Sequence, residues 1–424
     1  MTLRWWAALV LAVLVLGGAV VVLLRVPRRT LPTPVADQRA ALASLPAGAV
    51  ARGRAFRQAL RPAGYAGRVL SLAVALLLGL TPLGARIVGA VGGHWAVRAV
   101  LGGLLVTFLA SLVTLPLAGW REVIMRRYGL STQRWGGWLV DVLKGYGIGA
   151  VLGAVALLGF YAIARGSPDW WWIGAAIGAA GLTVLLSFVF PVLVEPVFNK
   201  FAPMPAGPLR DELMALAARD AVPVKDVLVA DASRRTRAVN AYVSGFGPTR
   251  RIVVYDTLLD RAEPAEVTSV VAHELGHARD GDVATGTVLG ALGAASAVIA
   301  VYLLGHWTVL LDRAGVGTVT DPRSIGLLLA LATLAGLVAG PAQNALSRRV
   351  EARADAHALA LTGDPVTFEA MEARLAAVNL ADPDPPRLEH LLFASHPSAV
   401  ERMAAARVYA RTTGSPPGGA EDER

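Results

Sequence analysis

Seven stretches of this 424-residue chain, near 4–25, 69–89, 96–118, 146–164, 171–194, 283–305 and 325–343, are apolar over about the 20 residues a helix needs to cross a bilayer. In hydrocarbon every backbone N–H and C=O must be satisfied inside its own segment, so such stretches leave little choice but spanning helices. Composition agrees, because 55% hydrophobic and 17% charged residues are too apolar for a soluble globule of this size. The first stretch is long for a secretory leader and ends in LLRVPRR without a small-residue cleavage site, so it is expected to stay as an anchor.

Charge orients the spans. Residues 25–68 carry nine arginines, and the segment after the third span adds Arg121, Arg126, Arg127, Arg134 and Lys144. The intervening loops are poor in basic residues, which places the odd-numbered loops, the 197–282 segment and the C-terminus in the cytoplasm. The net charge of +9 is read as this loop bias rather than as a nucleic-acid surface. With only three lysines among 40 basic residues, the bias toward arginine points to a GC-rich bacterial genome and hence to a bacterial cell membrane. Gly145, Gly149 and Gly153, and Gly286 with Gly290, repeat at four-residue spacing and are expected to mark close helix packing. The tail from 414 to 424 is short, polar and rich in Gly and Pro, and is expected to be disordered.

The predicted organisation is therefore a membrane region over 1–196, a first soluble part over 197–282, two more spans over 283–343, a second soluble part over 344–413, and the tail. In the first soluble part GPLRDELMALAARD reads as an amphipathic helix, and VKDVLVAD, NAYVSGFG and RRIVVYD read as short strands. EPAEVTSVVAHELGHARDGD then reads as a helix, with Pro264 in its first turn. On a helix His273 and His277 project from one face and can offer two imidazole nitrogens to one ion, while Glu274 faces a water in an open coordination position. With seven His and 13 Glu in the chain, chance would produce an HExxH in about one such sequence in 300. The uncharged Val271, Ala272, Leu275 and Gly276 around the ligands suit a buried helix and favour a catalytic metal over coincidence.

The chain has no cysteine, so a third protein ligand must be His, Asp or Glu. ALSRRVEARADAHAL offers Glu351 and, one turn later on the same face, Asp355, which can accept a hydrogen bond from a ligand imidazole. Acidic pairs at this spacing are also common on solvated helix faces, and His357 is a rival ligand. Asp282 reads as a helix-terminal charge.

HELGH, SRRVEARAD and SHPSAVERM together resemble the M48 metallopeptidases, and with the membrane layout the Ste24 type, the CAAX prenyl proteases. MRRYGLSTQ, EPVFNKFAPM and NAYVSGFGPTRRIVVYDTLL resemble further family segments in the same order. The resemblance implies a mainly helical membrane protein with a cytoplasmic-side zincin-like α+β core. It implies one zinc per chain on His273, His277 and Glu351, with Glu274 as general base and Asp355 supporting the ligands. By the same resemblance Asn240, Ala241 and Tyr242 form an edge that pairs with a peptide backbone. His396 and Arg402 lie near the peptide, and His396 is placed to stabilise the oxyanion. For Arg402 a salt bridge to a nearby carboxylate is an equal reading, and for Asn240 a structural turn is the alternative. The expected function is a membrane zinc endopeptidase acting on CaaX-type or other membrane-associated, including lipidated, peptides in contact with the bilayer. A membrane-protein quality-control protease, a zinc-stabilised scaffold and a transporter are the competing readings. An intact Glu274 disfavours the scaffold, and spans nearly free of ionisable residues disfavour the transporter.

Overall fold

The computed structural model describes residues 2–27 and 30–414, so the tail from residue 415 on lies outside the described residues. Gly414 itself, at φ 72°, caps the last helix. All seven apolar stretches fall on helices long and apolar enough to cross a membrane. The first is α1 (Leu3–Arg25), followed by the short α2 (Val35–Ser44) and by α3 (Ala47–Gly79). The chain continues through α4 (Leu83–Ala90), α5 (Trp95–Arg127), α6 (Trp135–Gly166) and α7 (Trp171–Val189). α7 runs on through one π-helical turn carrying Pro191 into α8 (Glu195–Phe198).

The second expected span, 69–89, is corrected by the fold: α3 stops at Gly79, and α4 turns back after Pro82. This reversal depends on glycine. A Cβ on Gly84 would sit 2.2 Å from the Leu78 carbonyl oxygen, and one on Gly326 would sit 2.3 Å from the same atom. Backbones this close leave no volume for a methyl group. The expected ridge on α6 is also corrected, because a Cβ on Gly145, Gly149 or Gly153 would meet nothing within 4 Å. Small residues permit close packing but do not create a partner. Of Gly286 and Gly290 only Gly290 has a near neighbour, with the Thr183 methyl 3.3 Å from its would-be Cβ.

The membrane-distal part begins with β1 (Phe201–Pro203) and α9 (Pro208–Arg219). It continues through β2 (Asp226–Ala230), β3 (Ala241–Ser244), β4 (Arg251–Tyr255) and α10 (Asp256–Leu259) to α11 (Pro264–Asp280). The four strands form one sheet in the order β1-β2-β4-β3, with β2 and β4 parallel and the two edge strands antiparallel to their neighbours. The three longer strands match the sequence pattern, whereas the three-residue β1 is too short to leave a periodic signal.

α11 packs against the sheet through a core that includes Leu213, Ile252, Val254, Val271, Leu275 and Phe368. Ten of its 17 residues are buried, against one of 23 in α1. A helix buried in protein must balance apolar and polar contacts, whereas one that faces lipid can be apolar all round. Glu263 and Glu266 form a reciprocal cap at the start of α11, and Gly281, at φ 68°, ends it in the left-handed conformation. The chain can therefore begin α12 (Asp282–Leu304) at once.

After α13 (Thr308–Ala314) comes α14 (Ile325–Thr362), whose 38 residues run unbroken past Pro341 and past the expected end of the seventh span near 343. One helix thus carries both a membrane span and the ExxxD residues. α15 (Pro365–Val378), α16 (Arg387–Phe393) and α17 (Ala399–Thr413) complete the chain.

Candidate metal centre

α11 and α14 cross so that His273, His277 and Glu351 bring one donor atom each within 4.8 Å of one another. His273 Nε2 and His277 Nε2 lie 3.1 Å apart, and Glu351 Oε2 is 3.3 Å from the first. Their other ring nitrogens are committed. His273 Nδ1 is 2.8 Å from Asp355 Oδ1, and His277 Nδ1 is 2.9 Å from Asp282 Oδ2. A carboxylate only accepts, so each Nδ1 carries the proton and each Nε2 presents a lone pair. Two lone pairs aimed at each other beside a carboxylate form a donor set that fits a cation. Burial disfavours a charged ring at His273, yet its hydrogen bonds with Asp355 and Glu351 outweigh burial and push its pKa up to about 10. A proton and a metal ion therefore compete for His273 Nε2 beside Glu351.

The carboxylates are themselves held. Arg402 donates from Nε to Asp355 Oδ2 at 2.9 Å and from Nη2 to Asp355 Oδ1, while its Nη1 is 2.7 Å from Glu372 Oε1. Arg353 donates to Asp282 and also, at 2.8 Å, to the carbonyl of Arg25 at the end of α1. Burial pushes the Glu372 carboxyl up to about 7 against the pull of Arg402, because Asp355 shares the same guanidinium. Burial likewise raises Glu274, and the two histidines offset it only in part.

His273, His277, Glu351, Glu372 and Arg402 line a cavity of about 840 Å³ that also takes in Glu274, His396, Asn240, Ala241, Tyr242 and the first turn of α12. His396 is 64% exposed at the rim, with Nδ1 2.8 Å from Glu351 Oε2. Asn240 is exposed to the cavity, and its side chain makes no hydrogen bond among the described residues, so the turn-forming reading has no contact behind it. β3 is a sheet edge. The Tyr255 amide donates to the Asn240 carbonyl, so by antiparallel alternation Tyr242 and Ser244 also bond toward β4. The backbones of Ala241 and Val243 then face outward. The Ala241 methyl is buried, and the Tyr242 hydroxyl donates to Glu195 at 3.3 Å.

His357 Nε2 pairs with Asp220 at 3.0 Å, and its ring packs against Gly276, outside the donor set. Arg402 is bound to two carboxylates and also lines the cavity. Glu372 and Arg353 were not foreseen. Neither stands at a helical spacing from a ligand that marks a supporting role, although Arg353 lies in the SRRVEARAD segment.

Residues 203–410 match the profile of peptidase family M48, and residues 65–200 that of the CAAX prenyl protease N-terminal region with five membrane helices. A CAAX prenyl protease 1 homolog of Arabidopsis thaliana is 31% identical over 70% of this chain and 72% of its own length. The metalloprotease YhfN of Bacillus subtilis is 29% identical over 70% of each chain. The crystal structure of S. mikatae Ste24p superposes with a TM-score of 0.78 over 95% of this chain and 99% of that one, at 22% identity, and shows the shared fold. A fold, a donor set and a sequence relationship thus meet in one conclusion: the chain belongs to peptidase family M48, as a multi-pass membrane metalloprotease of the Ste24-like kind.

Proposed function

We propose that the chain is an endopeptidase working with one zinc ion on His273 Nε2, His277 Nε2 and the Glu351 carboxylate. The observation that supports it most is the pair of Nε2 atoms facing each other beside Glu351, each ring fixed by a carboxylate on its far side. Bound there, zinc supplies Lewis acidity toward a carbonyl and makes water acidic near neutral pH. The Glu274 carboxylate takes the proton of the attacking water and hands it to the leaving amine, a role that its raised pKa favours. An extended peptide lies along β3 and bonds to the outward backbone of Ala241 and Val243, with Asn240 reaching it from the strand end. His396, anchored through Nδ1 on Glu351, points the other side of its ring into the cavity and, as an imidazolium, donates from Nε2 to the oxygen where negative charge develops. Asp355 and Arg402 position His273, and Arg402 also faces the cavity in which the peptide lies.

The substrates proposed are membrane-associated peptides of the CaaX type or others with a lipid-facing segment, since the cavity reaches the first turn of α12. The names of the plant and yeast relatives support that class. The basic half of α3 packs at the catalytic end, where Arg61 pairs with Glu389 and Arg54 with Asp382. That supports a metal centre and C-terminus on the cytoplasmic face of a bacterial membrane. A C-terminal reporter active only outside the cell would overturn the orientation.

Glu274→Gln tests the mechanism. It keeps the size of the side chain but cannot accept a proton, so cleavage of a farnesylated CaaX peptide should fall about 10²- to 10⁴-fold with zinc content unchanged. Near-native turnover would remove Glu274 as the base. An unlipidated membrane-protein fragment assayed alongside separates the substrate classes.

A further inference from the structure

The end of the helix bundle remote from the metal centre encloses a second cavity, of about 900 Å³. Its wall is assembled from span ends: the start of α1, the start of α5, the end of α6, the start of α7 and the end of α12, closed by the loop 318–322. Three arginines line it, Arg4, Arg98 and Arg165. None of them forms an ion pair among the described residues. Arg98 has a single long contact, 3.4 Å to the Gly93 carbonyl, and its buried Nε–H has no acceptor. Arg165 only stacks over Trp95, with its guanidinium 5.5 Å from the ring centroid.

Two carboxylates share the wall. Asp321 is already held by Arg323, through the backbone amide at 2.8 Å and the guanidinium at 3.1 Å. Asp169 pairs with no cation. His306 bonds through Nδ1 to the Tyr302 carbonyl at 2.8 Å, and Nε2 is left for another partner. The cavity therefore offers several strong donors and little local acceptor capacity, and a buried guanidinium N–H without an acceptor is costly.

Its height in the membrane follows from the aromatic residues around it. Trp5, Trp6, Trp170 and Trp307 at the same end are 65, 49, 53 and 56% exposed, as residues at the headgroup level are. An arginine fork matches phosphate oxygens, and a phospholipid in the leaflet at this end carries its phosphate at the headgroup level. We propose that this cavity binds a phosphate-bearing anion, presented as the headgroup of an anionic phospholipid, with Arg98 and Arg165 as principal donors and Arg4 closing over it.

The test uses the full-length protein in nanodiscs of phosphatidylglycerol or of phosphatidylcholine with matched acyl chains, followed by native mass spectrometry of the lipids retained on transfer to detergent. The expected result is selective retention of phosphatidylglycerol, weakened about fivefold by each of Arg98→Gln and Arg165→Gln. Calorimetric binding of inorganic phosphate to the lipid-free protein, lost in the same variants, would support the site and identify its source as a soluble phosphate. Equal retention of both lipids, or undiminished retention by the double Gln variant, overturns the proposal. Peptide hydrolysis in detergent should stay at the native rate in these variants, which reports that the chain is folded. Should hydrolysis fail as well, Arg98→Lys and Arg165→Lys decide. They keep the charge, so the preference for phosphatidylglycerol persists if the proposal holds and is absent if it does not.

Discussion

Two cavities of this protein are nearly equal in volume, about 840 Å³ at the metal centre and about 900 Å³ at the other end of the bundle. What separates them is how their charges are used. Around the metal centre almost every titratable group answers another: Arg402 holds Asp355 and Glu372, Asp355 holds His273, Arg353 holds Asp282, Asp282 holds His277, and His396 holds Glu351. Around the remote cavity the arginines form no ion pair among the described residues. Volume therefore does not identify a reactive site. Internal pairing that leaves only the inner Nε2 pair and one carboxylate free to act marks preorganised chemistry, and unspent donors mark a place for something that comes from outside.

That contrast can be broken most forcefully at Glu351. Glu351→Ala leaves two imidazoles, and the protein should lose its zinc on dialysis against a chelator and all detectable cleavage with it. A variant that keeps zinc while His357→Ala loses it would transfer the third ligand to His357. Next in size is Arg402→Met, which leaves Asp355 and Glu372 buried and uncompensated. A loss of about 3 to 5 kcal/mol in unfolding free energy is expected, because both carboxylates are almost fully enclosed. Chemical denaturation of the detergent-solubilised protein measures it, and a loss confined to surface values below about 1 kcal/mol would show that the network is not needed for folding.

Asp355→Ala and Asp282→Ala each free one imidazole, and each should lower zinc affinity or activity about 10- to 100-fold. The two should act similarly, since each carboxylate fixes one ring. An inert Asp282→Ala would make that residue only a helix-terminal charge. The mildest effect is on the pH profile. Glu274 acts as a carboxylate, and burial raises its pKa, so kcat/KM should fall as pH drops through that raised value, about tenfold per unit. The acid limb should lie above the ordinary glutamate range. An acid limb within the ordinary range would mean that the base is more solvated than the structure shows.

The sequence carries these features unevenly, for physical reasons. The spans are legible because hydrocarbon thickness imposes length, and the two histidines are legible because a helix turns a four-residue spacing into a shared face. The reversal after Gly79 is not legible, because an apolar stretch reads the same whether or not its backbone turns back. Gly145, Gly149 and Gly153 mislead because smallness on one helix says nothing about whether another helix is there to meet it. Glu372 escapes notice because its partner, Arg402, is 30 residues away on another helix, where no local period connects them.

α14 gives the metal centre an address counted in residues. Glu351 stands 26 positions after Ile325 on one unbroken helix, which at 1.5 Å per residue is about 39 Å along the axis. Ile325 is packed in the bundle beside Ser324, whose hydroxyl meets that of Tyr161 at 3.0 Å near the remote end. The depth of the Glu351 carboxylate below the opposite surface is thus set by helical arithmetic, much as a notch is set on a rod. Deleting a single residue between them would move the carboxylate only about 1.5 Å but swing it about 100° around the axis, away from both histidines. Lateral drift in chain length, which loops absorb without cost, is forbidden to this segment, and evolution can retune the distance between the two faces only in whole turns.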